Sequence, residues 1–116
     1  MARNPYSKLV GYKHWADYGL YSVVTATFDR LPPQDGAILL RVLDHMHVVD
    51  QIFRRHLQGR PHGFHAPRSD TVPALASLAA GAGEIDDWYV SYVESLPARD
   101  FDEPVDFRFT NGNRPG

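Results

Sequence analysis

Three long segments of the chain repeat apolar residues at intervals of three and four positions, and this period restricts the fold more than any other feature. Residues at that spacing lie on one face of an α-helix. The first segment covers residues 6–31, with the stripe Leu9, Tyr12, Ala16, Leu20, Val23, Thr27 and Leu31. Pro32 and Pro33 end it, because proline lacks an amide hydrogen and restricts the residue before it.

The second segment covers residues 33–57 and carries two adjacent apolar seams, so its apolar face is broad, as a bundle helix requires. One seam is Ile38, Val42, His45, Val49, Ile52 and His56, and the other is Leu39, Leu43, Met46, Asp50, Phe53 and Leu57. Gly59 is the expected C-cap, and Pro61 prevents the helix from continuing.

The third segment follows a loop, residues 60–70, that is rich in glycine, proline and histidine. Asp70 or Thr71 is expected to cap a helix that ends near Pro97, with Pro73 in its first turn. Its core seam is Leu75, Leu78, Ala82, Ile85, Tyr89, Tyr92 and Leu96. We therefore predict a third long helix.

Beyond Pro97 the apolar period becomes two, because Val105, Phe107 and Phe109 alternate with polar residues. This alternation predicts a short strand, and Asn111-Gly112 predicts a hairpin turn after it. Three helices with broad apolar faces would be better buried by a fourth. We expect one all-α domain over residues 1–116, an antiparallel up-down bundle whose fourth helix lies outside this chain or whose missing surface comes from a second chain.

Composition excludes several classes of function. The 116 residues are 43% hydrophobic and 22% charged, which is typical of a globular domain. A net charge of -2 disfavours nucleic-acid binding, and no apolar run approaches the roughly 18 residues of a membrane span. With no cysteine and no signal peptide, the chain is expected to be cytoplasmic and to have no thiol nucleophile of its own.

Six histidines make metal binding worth testing, and His45 is the candidate whose position is most specific. It lies in an apolar seam, so its ring is expected to point into the bundle. His47 is rotated about 200° from it, so the two cannot chelate one metal from a regular helix. His45 is then either a hydrogen-bonded core residue or a metal ligand that needs partners from another helix.

The other polar candidates have weaker patterns. His56, His62 and His65 could form a cluster near the loop that binds metal or substrate, or they could simply be solvated. His14 is expected to be exposed or at a helix interface. Asp50 could be a ligand, a base or a structural partner, and the pair Asp86-Asp87 is expected on a solvated face.

Several short motifs, in order, resemble the DinB-like family over nearly the whole chain. They are His14-Trp15-Ala16-Asp17, the run from Leu43 to Phe53, His56-Leu57-Gln58-Gly59, His62-Gly63-Phe64, Asp87-Trp88-Tyr89, and Phe107 to Thr110 before Asn111-Gly112. The resemblance implies a four-helix bundle, commonly a homodimer, that often binds zinc or nickel through three histidines. One of these corresponds to His45 within Leu43-Asp44-His45, and the other two come from a fourth-helix His-x-x-x-His that has no counterpart before Gly116.

Characterised members of this family include thiol-dependent transferases and isomerases, in which the metal is thought to activate a small thiol. The resemblance therefore implies a metal-binding protein, and a metal-dependent enzyme acting on a small-molecule thiol or on water is the hypothesis it favours. The alternative is a non-catalytic, dimerising helical bundle of stress-response type, with no metal, in which His45 is a core residue and the aromatic residues form the interface.

Overall fold

The computed structural model describes residues 5–96, and they are helical apart from their connections. Helix α1 spans Pro5–Thr27, α2 spans Pro33–Gln58 and α3 spans Leu75–Ser95, with a short 3-10 helix, Phe28–Arg30, after α1. The prediction of three long helices is confirmed. The predicted strand and the Asn111-Gly112 turn lie outside the described residues.

The ends of α2 follow from local sequence. Pro33 is the first residue of the helix, where the missing amide hydrogen costs no hydrogen bond. Gly59 has φ of 67° at the C-terminal end, a left-handed conformation that a residue without Cβ adopts freely, and its N–H binds the carbonyl oxygens of Arg55 and His56. Both boundaries agree with the prediction.

Helix α3 begins later than predicted, so the capping role expected of Asp70 or Thr71 is wrong. Its first turn closes through the hydrogen bond from Leu78 N–H to the Ala74 carbonyl, 3.1 Å. The preceding segment is held as a loop because the Asp44 carboxylate accepts hydrogen bonds from Ser69, from N–H at 2.8 Å and from Oγ at 2.6 Å.

The described residues form two compact units. The first contains residues 5–31 and 79–96, and the second contains residues 32–78. In the first unit α1 and α3 are antiparallel, because Gly11 lines one cavity with Val90 and Ser91 while Ala26, near the other end of α1, lines another with Ala79. A strict up-down order would make the first and third helices parallel, so the predicted order is wrong for this pair.

The core of the first unit uses a different side of α1 from the predicted stripe. Its buried apolar residues are Tyr21 and Val24 on α1 and Ala82, Ile85, Tyr89 and Val93 on α3. Burial of each larger side chain stabilises the fold by roughly 1.5–3 kcal/mol. The predicted α1 stripe is exposed at Leu9, Tyr12, Leu20 and Val23, whereas the α3 seam is buried as predicted at its centre.

In the second unit the connection after α2 returns along that helix. Ser69 binds Asp44, and the Pro67 carbonyl binds His45, so residues 67–69 lie beside the middle of α2. The buried side chains here are Leu43, Asp44, Val48, Ile52 and Leu78. His45 is exposed, which corrects the expectation that its ring points into the core.

Candidate functional site

The orientation of the His45 ring is fixed by a backbone group. Its Nδ1 lies 2.6 Å from the Pro67 carbonyl oxygen. A carbonyl oxygen only accepts hydrogen bonds, so Nδ1 donates its hydrogen and the lone pair of the neutral ring is on Nε2. Histidine ligands of metals commonly donate their second N–H to a carbonyl or carboxylate in this way, which fixes the tautomer and the ring plane.

The contact between His45 and Pro67 depends on the neighbouring residue. Asp44 is 2% exposed, and both of its carboxylate oxygens accept hydrogen bonds from Ser69. These two bonds fix the backbone two residues beyond Pro67, so they hold the carbonyl that His45 binds. The hydrogen bonds from Ser69 thus satisfy the buried Asp44 carboxylate, and by fixing the loop they position His45 indirectly.

An open cavity of about 540 Å³ lies beside His45. It is lined by Arg41, Asp44, His45, Pro67, Arg68, Ser69, Asp70 and Val72. Among the residues lining it, His45 is the only imidazole, and Asp70 is the carboxylate that Ser69 does not bind. The structure therefore places the His45 ring in a cavity lined by two carboxylates, Asp44 and Asp70, and two guanidinium groups, Arg41 and Arg68.

The remaining histidines of α2 and its loop lie outside this cavity. The rings of His56 and His62 meet edge to face with centroids 5.7 Å apart, and His62 also stacks on Phe64. The Phe64 N–H donates to His62 Nδ1 at 2.9 Å, so the neutral His62 ring has its hydrogen on Nε2. The expected proximity of His56 and His62 is confirmed, and this tautomer of His62 offers no lone pair to a metal.

A second polar cluster, which joins α1 to α3, was not predicted. The Lys13 Nζ binds Asp17 at 2.8 Å and also binds Asp86, and it lies 5.8 Å from the centroid of the Tyr89 ring. Asp86 is 2% exposed. The expectation that Asp86 lies on a solvated face is therefore wrong, whereas Asp87 is exposed as predicted.

The two carboxyl groups of this cluster have opposite pKa shifts. Burial, together with the hydrogen bond to Asp17, raises the pKa of Asp86 to about 7, against the lowering effect of Lys13. Burial also raises the pKa of Asp17, but the hydrogen bonds from Asp86 and Lys13 outweigh it and leave the pKa below its usual value. In mildly acidic solution, well below pH 7, Asp17 is ionised while Asp86 holds a proton.

A cavity of about 520 Å³ within the first unit is bordered by this carboxyl pair. Its walls include Tyr18, Tyr21, Ala79, Ala82 and Gly83, so it is largely apolar around the two acids. A carboxyl group that titrates near neutrality has the proton affinity that general acid-base chemistry requires. The packing of α1 on α3 explains the burial of Asp86 equally well without a role in catalysis.

His14 connects the same two helices at the side of this cavity. Its Nε2 lies 2.7 Å from the Asp87 carboxylate. The prediction that His14 is exposed or at a helix interface is confirmed as an interface contact. Trp15 and Tyr18 are exposed and line a shallow cavity with His14 and Asp87.

The sequence contained a signal for Asp86 that its charge obscured. Asp86 follows Ala82 by four positions and precedes Tyr89 by three, so it shares the buried side of α3 with them. On α2, Asp44 precedes the buried Val48 by four positions, which also places both on one side of the helix. In both helices an acidic residue at a core spacing marked a buried and fully hydrogen-bonded carboxyl group.

No protein-family model, curated protein or solved structure matches this chain. The DinB-like resemblance therefore remains a prediction from the motifs. Among residues 5–96, no helix has the length and apolar character needed to cross a membrane.

Proposed function

We propose that this chain is a DinB-like protein that binds a divalent metal, zinc or nickel, with Nε2 of His45 as one ligand. The observation that supports this is the hydrogen bond from His45 Nδ1 to the Pro67 carbonyl, 2.6 Å. It leaves the lone pair on Nε2 and holds the ring in one plane, as the second-sphere partner of a ligand does. Imidazole suits both zinc and nickel.

The possible metal donors around His45 fit a site whose ligands come from more than one segment. Asp70 lines the same cavity and is a second possible donor, while Asp44 is engaged with Ser69. The remaining ligands of the proposed site come from outside the described residues, either from further chain or from a second copy. A homodimer is part of this proposal.

We propose further that the protein is an enzyme that acts on a small thiol or on water. A bound divalent metal lowers the pKa of a coordinated thiol or water, so a nucleophilic anion forms near neutral pH. Arg41 and Arg68 border the cavity and would attract an anionic reactant. A cytoplasmic location belongs to the same proposal, because small thiols stay reduced there.

The test is metal binding by the full chain and two histidine variants. Purified protein is loaded with zinc or nickel, dialysed, and its metal content measured by mass spectrometry. We expect His45→Ala to lose the bound metal and His65→Ala, a matched exposed loop histidine, to retain it. Wild-type protein without metal, or His45→Ala with unchanged stoichiometry, would contradict the proposal.

The rival function is a metal-free, non-catalytic dimerising bundle, and the exposed apolar residues of α1 favour it. In that case His45 serves only to attach residue 67 to α2. The two functions differ in thermal unfolding with zinc present. A ligand role requires zinc to raise the melting temperature of the wild type and not of His45→Ala. If the role of His45 is purely structural, the difference in melting temperature between the wild type and His45→Ala is the same with and without zinc.

A further inference from the structure

One side of α1 exposes large apolar side chains that the other described residues, within 5–96, leave uncovered. Leu9 is 65% exposed, Tyr12 67%, Leu20 38% and Val23 63%. They lie at helical spacing with Ala16, so all five residues occupy one side of the helix. We call these five residues the α1 stripe. An apolar surface of this extent usually marks an interaction site.

The spacing within the α1 stripe is symmetric. From Leu9 the intervals are three, four, four and three positions, so Ala16 is the midpoint of the stripe. If two copies of α1 pack antiparallel about a two-fold axis at Ala16, Leu9 faces Val23 of the second copy. Tyr12 then faces Leu20 of the second copy. Each apolar residue meets an apolar residue, as a two-fold interface requires.

The midpoint of the stripe suits close packing of two helices. Ala16 has a small side chain, and Gly19 lies nearby on α1 with open space around its Cα. Small residues at a helix crossing allow an interaxial distance near the short end of about 8–10 Å. The larger residues on either side then contact each other away from the crossing point.

Charge does not oppose this packing. No carboxylate lies within the α1 stripe, and the nearest cation, Lys13, is already bound to Asp17 and Asp86. Lys8 lies near the opposite margin and is exposed. Dimer formation would therefore bury little charge, and desolvation of polar groups would offset little of the gain from apolar burial.

The area also agrees with a dimer. Given the exposed fractions of the stripe and of the neighbouring Tyr6, the apolar surface available is on the order of 500 Å² per chain. A standard interface buries about 800 Å² per partner, of which roughly 65% is apolar in homodimers. The exposed apolar area on α1 is therefore of the size that the apolar part of a homodimer interface requires.

From these observations we infer that two copies of this chain associate through antiparallel α1 helices centred on Ala16. The inference rests on the homodimer part of the proposed function and names its surface. It does not require metal at His45, which lies on α2. Association and metal content can therefore fail separately.

The first experiment measures the dissociation constant of the full chain by sedimentation with a chelator present. Leu9→Lys and Val23→Glu should each weaken association by about 100-fold, because symmetry places each new charge against apolar surface twice. Combined in one chain, they should restore most of the affinity, since the antiparallel register sets lysine opposite glutamate. Tyr18→Glu, an exposed position on another side of α1, should leave association unchanged.

The second experiment tests the register directly. The chain has no cysteine, so Ala16→Cys adds a single thiol at the proposed two-fold axis. Oxidation should rapidly cross-link two copies, because a close crossing brings the two Cα atoms within disulfide range, about 4.4–6.8 Å. Tyr18→Cys, the control, should cross-link slowly. Circular dichroism confirms that each variant keeps its helices.

Three results would overturn the inference. The chain could remain monomeric at high concentration, or it could dimerise with an affinity that neither charged substitution changes. It could also dimerise without rescue in the double variant and without rapid cross-linking at position 16. Each of these means that something other than an antiparallel second copy covers the α1 stripe.

Discussion

The two polar clusters of this protein are built in opposite ways. In the first unit, Asp86 is buried and is bound to Lys13 and Asp17, so its polar atoms are used inside the protein. In the second unit, His45 is exposed, and one ring nitrogen is bound while the other faces no partner among residues 5–96. The first arrangement stabilises helix packing, and the second leaves a donor atom available.

This difference separates a role in stability from a role in binding. When one member of a buried hydrogen-bonded cluster is removed, the partners left unsatisfied make the fold less stable. An exposed histidine held by a backbone carbonyl costs little stability when it is replaced, but any bound metal would lose a ligand. The following predictions, from the largest expected effect to the smallest, test this division.

Replacing Asp86 should have the largest effect on stability. Asp86→Ala removes a buried hydrogen-bond partner from both Lys13 and Asp17 but leaves their own ion pair in place, so we expect the free energy of unfolding to fall by about 1–3 kcal/mol for each of the two bonds lost. Urea denaturation measures the change. Asp87→Ala is the matched control: its carboxylate is exposed and contacts His14, so a loss of less than about 1 kcal/mol is expected. Equal losses would show that the Asp86 cluster does not stabilise the packing of α1 on α3.

Replacing Asp44 should affect stability less and binding more. Asp44→Ala removes both hydrogen bonds to Ser69, so we expect a loss of about 1–3 kcal/mol in urea denaturation. Because those bonds position the Pro67 carbonyl, zinc affinity at His45 should also fall, by about 10–100-fold. Asp70→Ala, whose carboxylate is exposed, should leave stability unchanged. An Asp44→Ala protein with wild-type zinc affinity would show that this loop does not orient His45.

The smallest effect, taken per pH unit, is a pH dependence that belongs to the first unit alone. The pKa of Asp86 is raised to about 7 in the folded protein from an ordinary value of 3.8, so the folded state binds more protons than the unfolded state between these values. The stability due to Asp86 is therefore present at low pH and is lost as pH rises toward 7, with a slope of at most about 1.4 kcal/mol per pH unit.

Asp17 contributes with the opposite sign, because its pKa is lowered in the folded protein. Its contribution is present above the ordinary pKa of 3.8 and is lost as pH falls below that value. Asp86→Asn keeps a neutral hydrogen-bonding group and removes the titration. Unfolding measured from pH 5 to 8 should therefore give a smaller decrease with pH for Asp86→Asn than for the wild type. Parallel curves would contradict the raised pKa.

Much of the fold could be predicted from the sequence because it depends on neighbours along the chain. Pro33 and Gly59 set the ends of α2 through their own backbone restrictions. The 3.6-residue period of the apolar residues revealed all three helices. The start of α3 was wrong because the hydrogen bonds that hold Ser69 in a loop come from Asp44, which is distant in sequence.

The candidate site was predicted less well, for a related reason. The motif around His45 identified the residue, but its exposure and tautomer depend on Pro67. Asp86 was expected in solvent because aspartate is usually exposed, although its spacing from Ala82 and Tyr89 matched the buried side of α3. A single sequence does not show that Lys13 and Asp17 of α1 meet it there.

By itself, the sequence determined that the described chain is helical, where α2 begins and ends, and which residues are apolar enough to pack. Tertiary structure alone decided that α1 and α3 are antiparallel, that the α1 stripe is exposed, and that Asp86 is buried with a raised pKa. The physical reason is the distance along the chain over which each interaction acts. Helical period and capping act within a few residues, whereas burial, pKa and the tautomer of His45 depend on groups brought together from distant parts of the chain.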